Sequence, residues 1–370
     1  MDYTKLSNEQ LLTLRKQCEL DISKYHNFQL VRKIQLNSAY GAIGNQYFRY
    51  YSTELAEAIT LSGQLSIQWI GKELNKYLNK VIGTNDQDYV VASDTDSVYL
   101  NLGPLVDKVV PNASDEKTIN TLDKISNEAI LPFIKKKFEE LANTMNAYEN
   151  RMEMGREVIA NKGIWTAKKR YMLNVWDSEG VRYKEPKLKI MGIETTRSST
   201  PEIVRKQLKT GIHIIMNGTE SDMIQFVEKC REEFNNLPAE DIAFPRSVHG
   251  MKEYSDRYNI YKKSTPIAVK GSLIYNHYLE KYGLTKKYKR IIEGDKIKFL
   301  HLKKPNPLGG VRGQDQVVAF ANVLPKEFDL HEFIDYNTQF EKAFLDPLKT
   351  ILDTIGWSAE KKFTLESVFG

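Results

Sequence analysis

Asp94-Thr95-Asp96-Ser97 places two carboxylates two residues apart, between short alternating runs at 88–93 and 98–102. The runs read as the arms of a β-hairpin, with the carboxylates where the backbone leaves the sheet. Such charge must be solvated or neutralised, and paired carboxylates in water-rich surroundings suit Mg²⁺. Asp and Ser favour turns on their own account, so these four residues alone fit an ordinary hairpin turn better than a metal site. Two other groups could also do chemistry. Lys33, Asn37, Tyr40 and Gly44 recur at spacings that share one helix face, a polar pattern that core packing does not explain. Lys168-Lys169-Arg170 sets three cations in a row within an alternating run, which puts charge on both faces of a strand unless an edge or face meets an anion.

The elements that must position these groups follow from periodicity. Ser7-Asn8-Glu9-Gln10 is a capping box. Leu11, Leu14, Cys18, Ile22 and Tyr25 follow at helical steps, and no Pro or Gly intervenes before Gly41, so one helix of some thirty residues is expected. A second helix is expected over about 53–81, ended by Gly83-Thr84-Asn85-Asp86, and a mainly helical stretch over 114–160. Trp165 to Trp176 reads as one strand, Asp177-Ser178-Glu179-Gly180 as a turn, and Val181 onward as the returning strand. Helical patterns resume from Thr200-Pro201 to about Phe234 and from about Phe333 to Ile355, with a Pro/Gly connector over 305–310.

The chain has 370 residues, enough for two or three domains, with 41% hydrophobic and 27% charged residues. No apolar run reaches membrane-spanning length and the first residues are unlike a signal peptide, so no membrane partner is expected. Cys18 and Cys230 belong to no Cys/His cluster, which argues against a disulfide framework or a zinc site and fits a reducing cytoplasm. Net charge is only +5, but it is unevenly spread. Residues 161–190 hold eight Lys/Arg against three Asp/Glu, and residues 251–304 hold fourteen against five with seven tyrosines interleaved. Any one of these side chains is more simply a solvated or core residue; the 54-residue block together suits a phosphate backbone.

Lys33-x-x-x-Asn37-Ser38-x-Tyr40-Gly41, Asp94-Thr95-Asp96-Ser97 and Lys168-Lys169-Arg170-Tyr171, in this order, resemble the motifs of family B DNA polymerases. Within that family the T-even-phage branch of replicative enzymes is the most similar, through residues 45–51, Gln68-Trp69-Ile70, 83–86 and 188–194. The likeness is dense over 24–201, thinner to about 361, and returns in the terminal octapeptide. One departure is Ser93, where the family usually has Gly before the Asp turn.

The resemblance implies an α+β fold: a palm with an antiparallel sheet, one long fingers helix and a mainly helical thumb. It implies a second fingers helix over 1–44, a partial palm over 45–192, a thumb over 193–362 and a sliding-clamp-binding tail over 363–370. By the same resemblance Asp96 bridges two Mg²⁺ ions and Asp94 is the accessory acid of the turn. Lys33 and Asn37 meet the dNTP, Tyr40 forms part of the floor under the nascent base pair, and Gly41 allows close approach there. Lys168, Lys169, Arg170 and Tyr171 grip the primer–template DNA; Leu365, Val368 and Phe369 anchor the tail in the clamp. Glu157 lies near a family acidic position but reads more simply as a surface charge. The N-terminal domain, the exonuclease, the first fingers helix and the other metal-binding Asp are not among these residues. The expectation is therefore the C-terminal subunit of a split polymerase, completed by an N-terminal polypeptide, in the cytoplasm of an infected bacterial host. Two other readings are a non-catalytic remnant that binds DNA and tethers a clamp, and part of one longer single-chain polymerase.

Overall fold

The first helix begins where four residues dictate. The Ser7 hydroxyl accepts from the Gln10 amide at 3.3 Å, and Gln10 Oε1 accepts from the Ser7 amide at 2.9 Å. This reciprocal cap opens α1 (Asn8–Ile43) in the computed structural model, which describes residues 6–308 and 316–361. The fold is α+β, as expected, and the chain forms two units, Met1–Gly155 and Arg156–Gly370. The division falls inside the stretch read above as palm.

In the first unit α1 runs for 36 residues without one buried side chain. Then comes α2 (Thr53–Ile82), capped by Ser52 and ended at Gly83, whose φ of +83° is the left-handed closure that glycine permits. β1 (Val90–Asp94) and β2 (Ser97–Leu100) form the expected antiparallel hairpin. After α3 (Gly103–Val109) and α4 (Asp115–Ile125), a π turn over Ser126–Ile130 leads into α5 (Leu131–Thr144). The core of this unit is small: Ile70 and Leu74 of α2 meet Ile130, Ile134, Phe138 and Leu141. The helical expectation over 114–160 needs correction. Helix ends at Thr144, residues 145–157 are irregular, and Val158 starts a strand. Asn146 takes a positive φ of 50°, a stop signal that the surrounding charge pattern concealed.

The second unit opens with a three-stranded meander, β3 (Val158–Ala167), β4 (Arg170–Ser178) and β5 (Val181–Met191), in the order β3-β4-β5. The single strand expected over 165–176 is thus two strands turning at Lys168-Lys169. Helices α6 (Glu202–Asn217), α7 (Glu220–Phe234) and α8 (Ala239–Ile242) lead to β6 (Phe244–Ser247). Next come α9 (Met251–Tyr254), the short pair β7 (Ser255–Asp256) and β8 (Ile260–Tyr261), and α10 (Ile267–Lys281). β9 (Lys296–His301) then lies between β6 and β10 (Val317–Phe320), and α11 (Tyr336–Phe340) and α12 (Asp346–Ile355) close the unit. Its core is extensive and aromatic, with Phe234, Phe320, Phe328, Phe340 and Phe344 fully buried. Two buried amides tie neighbouring segments to it. Gln339 donates to the Ile242 carbonyl at 2.7 Å, and Asn276 donates to the Ile291 carbonyl and accepts from the Ile291 amide.

Candidate functional site

The carboxylate turn is held from below by α2. Asn75 Oδ1 accepts from the Tyr89 amide at 2.8 Å and the Val90 amide at 3.1 Å, while Asn75 Nδ2 donates to Asp88 at 2.7 Å. One turn further, Asn79 Oδ1 accepts from Thr84 and from the Gln87 amide, and the Thr84 and Tyr89 hydroxyls lie 2.8 Å apart. Tyr89 is fully buried, so β1 enters from a fixed point. Asn75 and Asn79 escaped notice in the sequence, although two asparagines at i and i+4 on the last turns of a helix were a usable signal.

At the tip, Asp94 pairs with Ser97 across a two-residue turn. The Asp96 amide donates back to the Asp94 carbonyl at 2.6 Å, and Thr95 takes a φ of +54°. A β-branched residue there is strained, a cost of about 1–3 kcal/mol that the surrounding structure must sustain. Thr95 Oγ1 donates to Asp94 Oδ1 at 3.2 Å and Ser97 Oγ donates to the Asp94 carbonyl at 3.1 Å. The Asp94 side chain is half-buried and Asp96 is exposed. Both are hard oxygen donors, the kind Mg²⁺ takes. Among the described residues, no group of three or more His, Cys, Asp and Glu side chains could hold a metal ion. The pair therefore fits Mg²⁺ in ligand type and would need further oxygens from water, phosphate or another polypeptide.

Lys33, Asn37 and Tyr40 are all exposed on the C-terminal half of α1. The Tyr40 hydroxyl lies 2.8 Å from the Thr60 hydroxyl of α2, which fixes the ring against the neighbouring helix. A Cβ on Gly41 would meet no described atom within 4 Å, so packing among the described residues does not call for glycine there. The same helix exposes apolar side chains along its length: Leu20 is 66% exposed, Phe28 58% and Leu36 74%.

In the second unit, Lys168 and Lys169 form the exposed tip between β3 and β4, with Lys169 at a φ of +62°. The other two residues of that motif are differently placed. One guanidinium nitrogen of Arg170 donates to both Glu194 oxygens, at 2.9 and 2.8 Å. Tyr171 is buried and stacks on Trp165 at 6.2 Å between ring centroids. Glu157 pairs with Lys189 at 2.5 Å. In the basic, Tyr-rich block, Tyr275 and Tyr278 are core residues, whereas Tyr258 and Tyr282 are exposed. Burial pushes the Tyr275 hydroxyl up to about 12. The other end of the meander is closed by buried Asp177. It accepts from Arg156 Nη1 at 2.5 Å, from the Gly180 amide at 3.1 Å and from Arg182 Nε at 3.0 Å. Burial works against its charge, but these donors together hold the carboxyl below its ordinary value. Leu365, Val368 and Phe369 lie outside the described residues. No helix among the described residues is long and apolar enough to cross a membrane.

Comparison with known proteins bears on all three motifs. The sequence model for DNA polymerase family B matches residues 10–121. The chain is 36% identical over 375 residues to the DNA-directed DNA polymerase of Enterobacteria phage T4, covering 97% of this chain and 40% of that protein. It is 37% identical over 356 residues to that of Escherichia phage RB69, covering 92% and 38%. DNA polymerase 1 of Sulfolobus acidocaldarius is 24% identical over 364 residues, covering 94% of this chain and 32% of its own length. The chain thus spans about two-fifths of the length of the two phage relatives.

Proposed function

Because this chain belongs to the family B DNA polymerases, we propose that it is the C-terminal part of a template-directed DNA polymerase, completed by a separate N-terminal polypeptide. The observation that carries this reading is α1, a 36-residue helix that buries nothing, exposes Leu20, Phe28 and Leu36, and carries Lys33, Asn37 and Tyr40. A helix so exposed gains little from packing within its own unit, and helices in proteins draw most of their stability from a packed face. The match to about two-fifths of each phage polymerase supplies the natural occupant: the remaining three-fifths of such an enzyme. The same match is what a segment of one longer polypeptide would give, and the chemistry below is common to both arrangements.

In this reading Lys33 and Asn37 meet the dNTP phosphates, the cation offsetting charge that grows on the leaving pyrophosphate. Tyr40, fixed by Thr60, and Gly41, which no described residue crowds, face the nascent base pair. Asp96, with Asp94 beside it, would hold Mg²⁺, which would supply Lewis-acid stabilisation of charge in the phosphoryl transfer. The strain stored at Thr95 is of the kind found where a backbone is held for a functional purpose. The tip at Lys168-Lys169 meets the primer–template backbone. Leu365, Val368 and Phe369 dock a sliding clamp, and the protein acts in the cytoplasm of the infected host.

Asp96→Asn tests the assignment. It keeps the shape of the turn and removes one charge. In the reconstituted polymerase it lowers nucleotide incorporation at least about 10²–10³-fold, the scale of losing one electrostatic contact in a transition state. Primer–template affinity stays as it was. A variant that still extends primers normally would leave the chain as a DNA-binding, clamp-tethering remnant.

A further inference from the structure

Resting on the polymerase reading, we infer that Glu194 is a positioning residue that fixes the Lys168-Lys169 tip for phosphate contact, and that Arg170 is its strut and not a phosphate ligand. The tip needs such a device. It is a two-residue turn without Gly, Asn or Pro, and Lys169 sits in the left-handed region, where a long L side chain is disfavoured. The neighbouring segment supplies it. β5 ends at Met191 opposite Tyr171, and Gly192 follows at a φ of +67°. A Cβ on Gly192 would collide with the Lys169 carbonyl oxygen, so backbone meets backbone there and only glycine admits the approach. Two residues on, Glu194 takes both of its oxygens to Arg170. Arg197 closes the bracket from the other side, donating to the Gly192 carbonyl at 3.2 Å and lying 3.4 Å from Glu194. Arg170 and Glu194 are 31% and 18% exposed, so screening of their pair is partial. Two arginines are thereby committed to one carboxylate, and the exposed Lys168 and the backbone of Lys169 are presented at the rim.

The alternative, that Glu194 merely parks arginines which would otherwise bind phosphate, predicts the opposite sign. Binding of the full chain to a primer–template duplex is measured across a salt series for the parent, Lys168→Ala, Glu194→Gln and the double variant. Lys168→Ala lowers the slope of log K against log[salt] by about 0.9, one phosphate contact. Glu194→Gln, which leaves every lysine in place, weakens binding and lowers the slope too, and adds little on top of Lys168→Ala because both act through one contact. Tighter binding or a steeper slope in Glu194→Gln overturns the inference, as does no change. Amide exchange over 163–175 provides a readout that does not need DNA. The inference requires faster exchange there in Glu194→Gln while 267–281, in the core of the unit, stays protected. Absence of salt-dependent duplex binding by the parent chain would count against the polymerase reading alone; unaltered exchange at the tip would sink the Glu194 bracket by itself.

Discussion

The two units of this chain treat apolar surface in opposite ways. Arg156–Gly370 encloses its aromatic residues: Phe234 packs edge-on to Phe340 at 5.3 Å, and Phe340 lies 5.1 Å from Phe344. Met1–Gly155 has a modest core around Ile70, Leu74 and Phe138, and devotes its longest helix to a surface that buries nothing. The first arrangement is what a fold needs to stand by itself. The second is what a fold shows when a face is shaped for something it meets, so the proposed chemistry of α1 and the proposed need for a partner come from one feature.

That contrast can be broken by substitution. Phe340→Ala empties a fully enclosed site and lowers the unfolding free energy of the second unit by about 3–5 kcal/mol in denaturant titration. Phe28→Ala on α1 stays within about 0.5 kcal/mol in the chain alone, as exposed positions do. Adding the proposed N-terminal polypeptide sharpens the comparison, because on that reading Phe28→Ala weakens co-purification of the pair. Equal costs at the two sites in the isolated chain would mean that α1 is covered after all.

A smaller effect in the second unit is read by pH. The Asp177 carboxyl is held below its ordinary value in the folded second unit. Its contribution is therefore present above the ordinary carboxylate pKa and is lost as pH falls through the depressed folded value. The second unit should lose stability in that acidic range, and Asp177→Asn should flatten the dependence while lowering stability at neutral pH. A parent chain whose second unit shows no acid loss that Asp177→Asn removes would contradict this role of the Arg156–Asp177–Arg182 cluster.

Much of the fold was legible from local chemistry. The capping box at Ser7 and Gln10, the uninterrupted run to Gly41, the glycine stop at Gly83 and the alternation on either side of Asp94 each have a cause within a few residues. The meander was misread where that cause is not local. Nothing in Thr166-Ala167-Lys168-Lys169-Arg170 announces a turn, because the residues that meet it, Gly192 against the Lys169 carbonyl and Glu194 on Arg170, lie more than twenty residues on. The interleaved tyrosines divide for a similar reason: Tyr275 and Tyr278 sit on α10 and pack into the core, whereas Tyr258 lies between β7 and β8 at the surface. At the candidate site the carboxylates and the Lys33 face could be read directly. The brackets that aim them depend on contacts between elements: the i, i+4 spacing of Asn75 and Asn79 did not say what they would hold, and Thr60 beside Tyr40 had no pattern of its own.

Under the proposed split, this chain carries part of a polymerase active site and needs the rest to act. Primer extension on a defined template with Mg²⁺ and dNTPs, run with this chain, with the N-terminal polypeptide and with both together, tests it most directly. Extension is expected only in the combined reaction. Robust incorporation by this chain alone would contradict it.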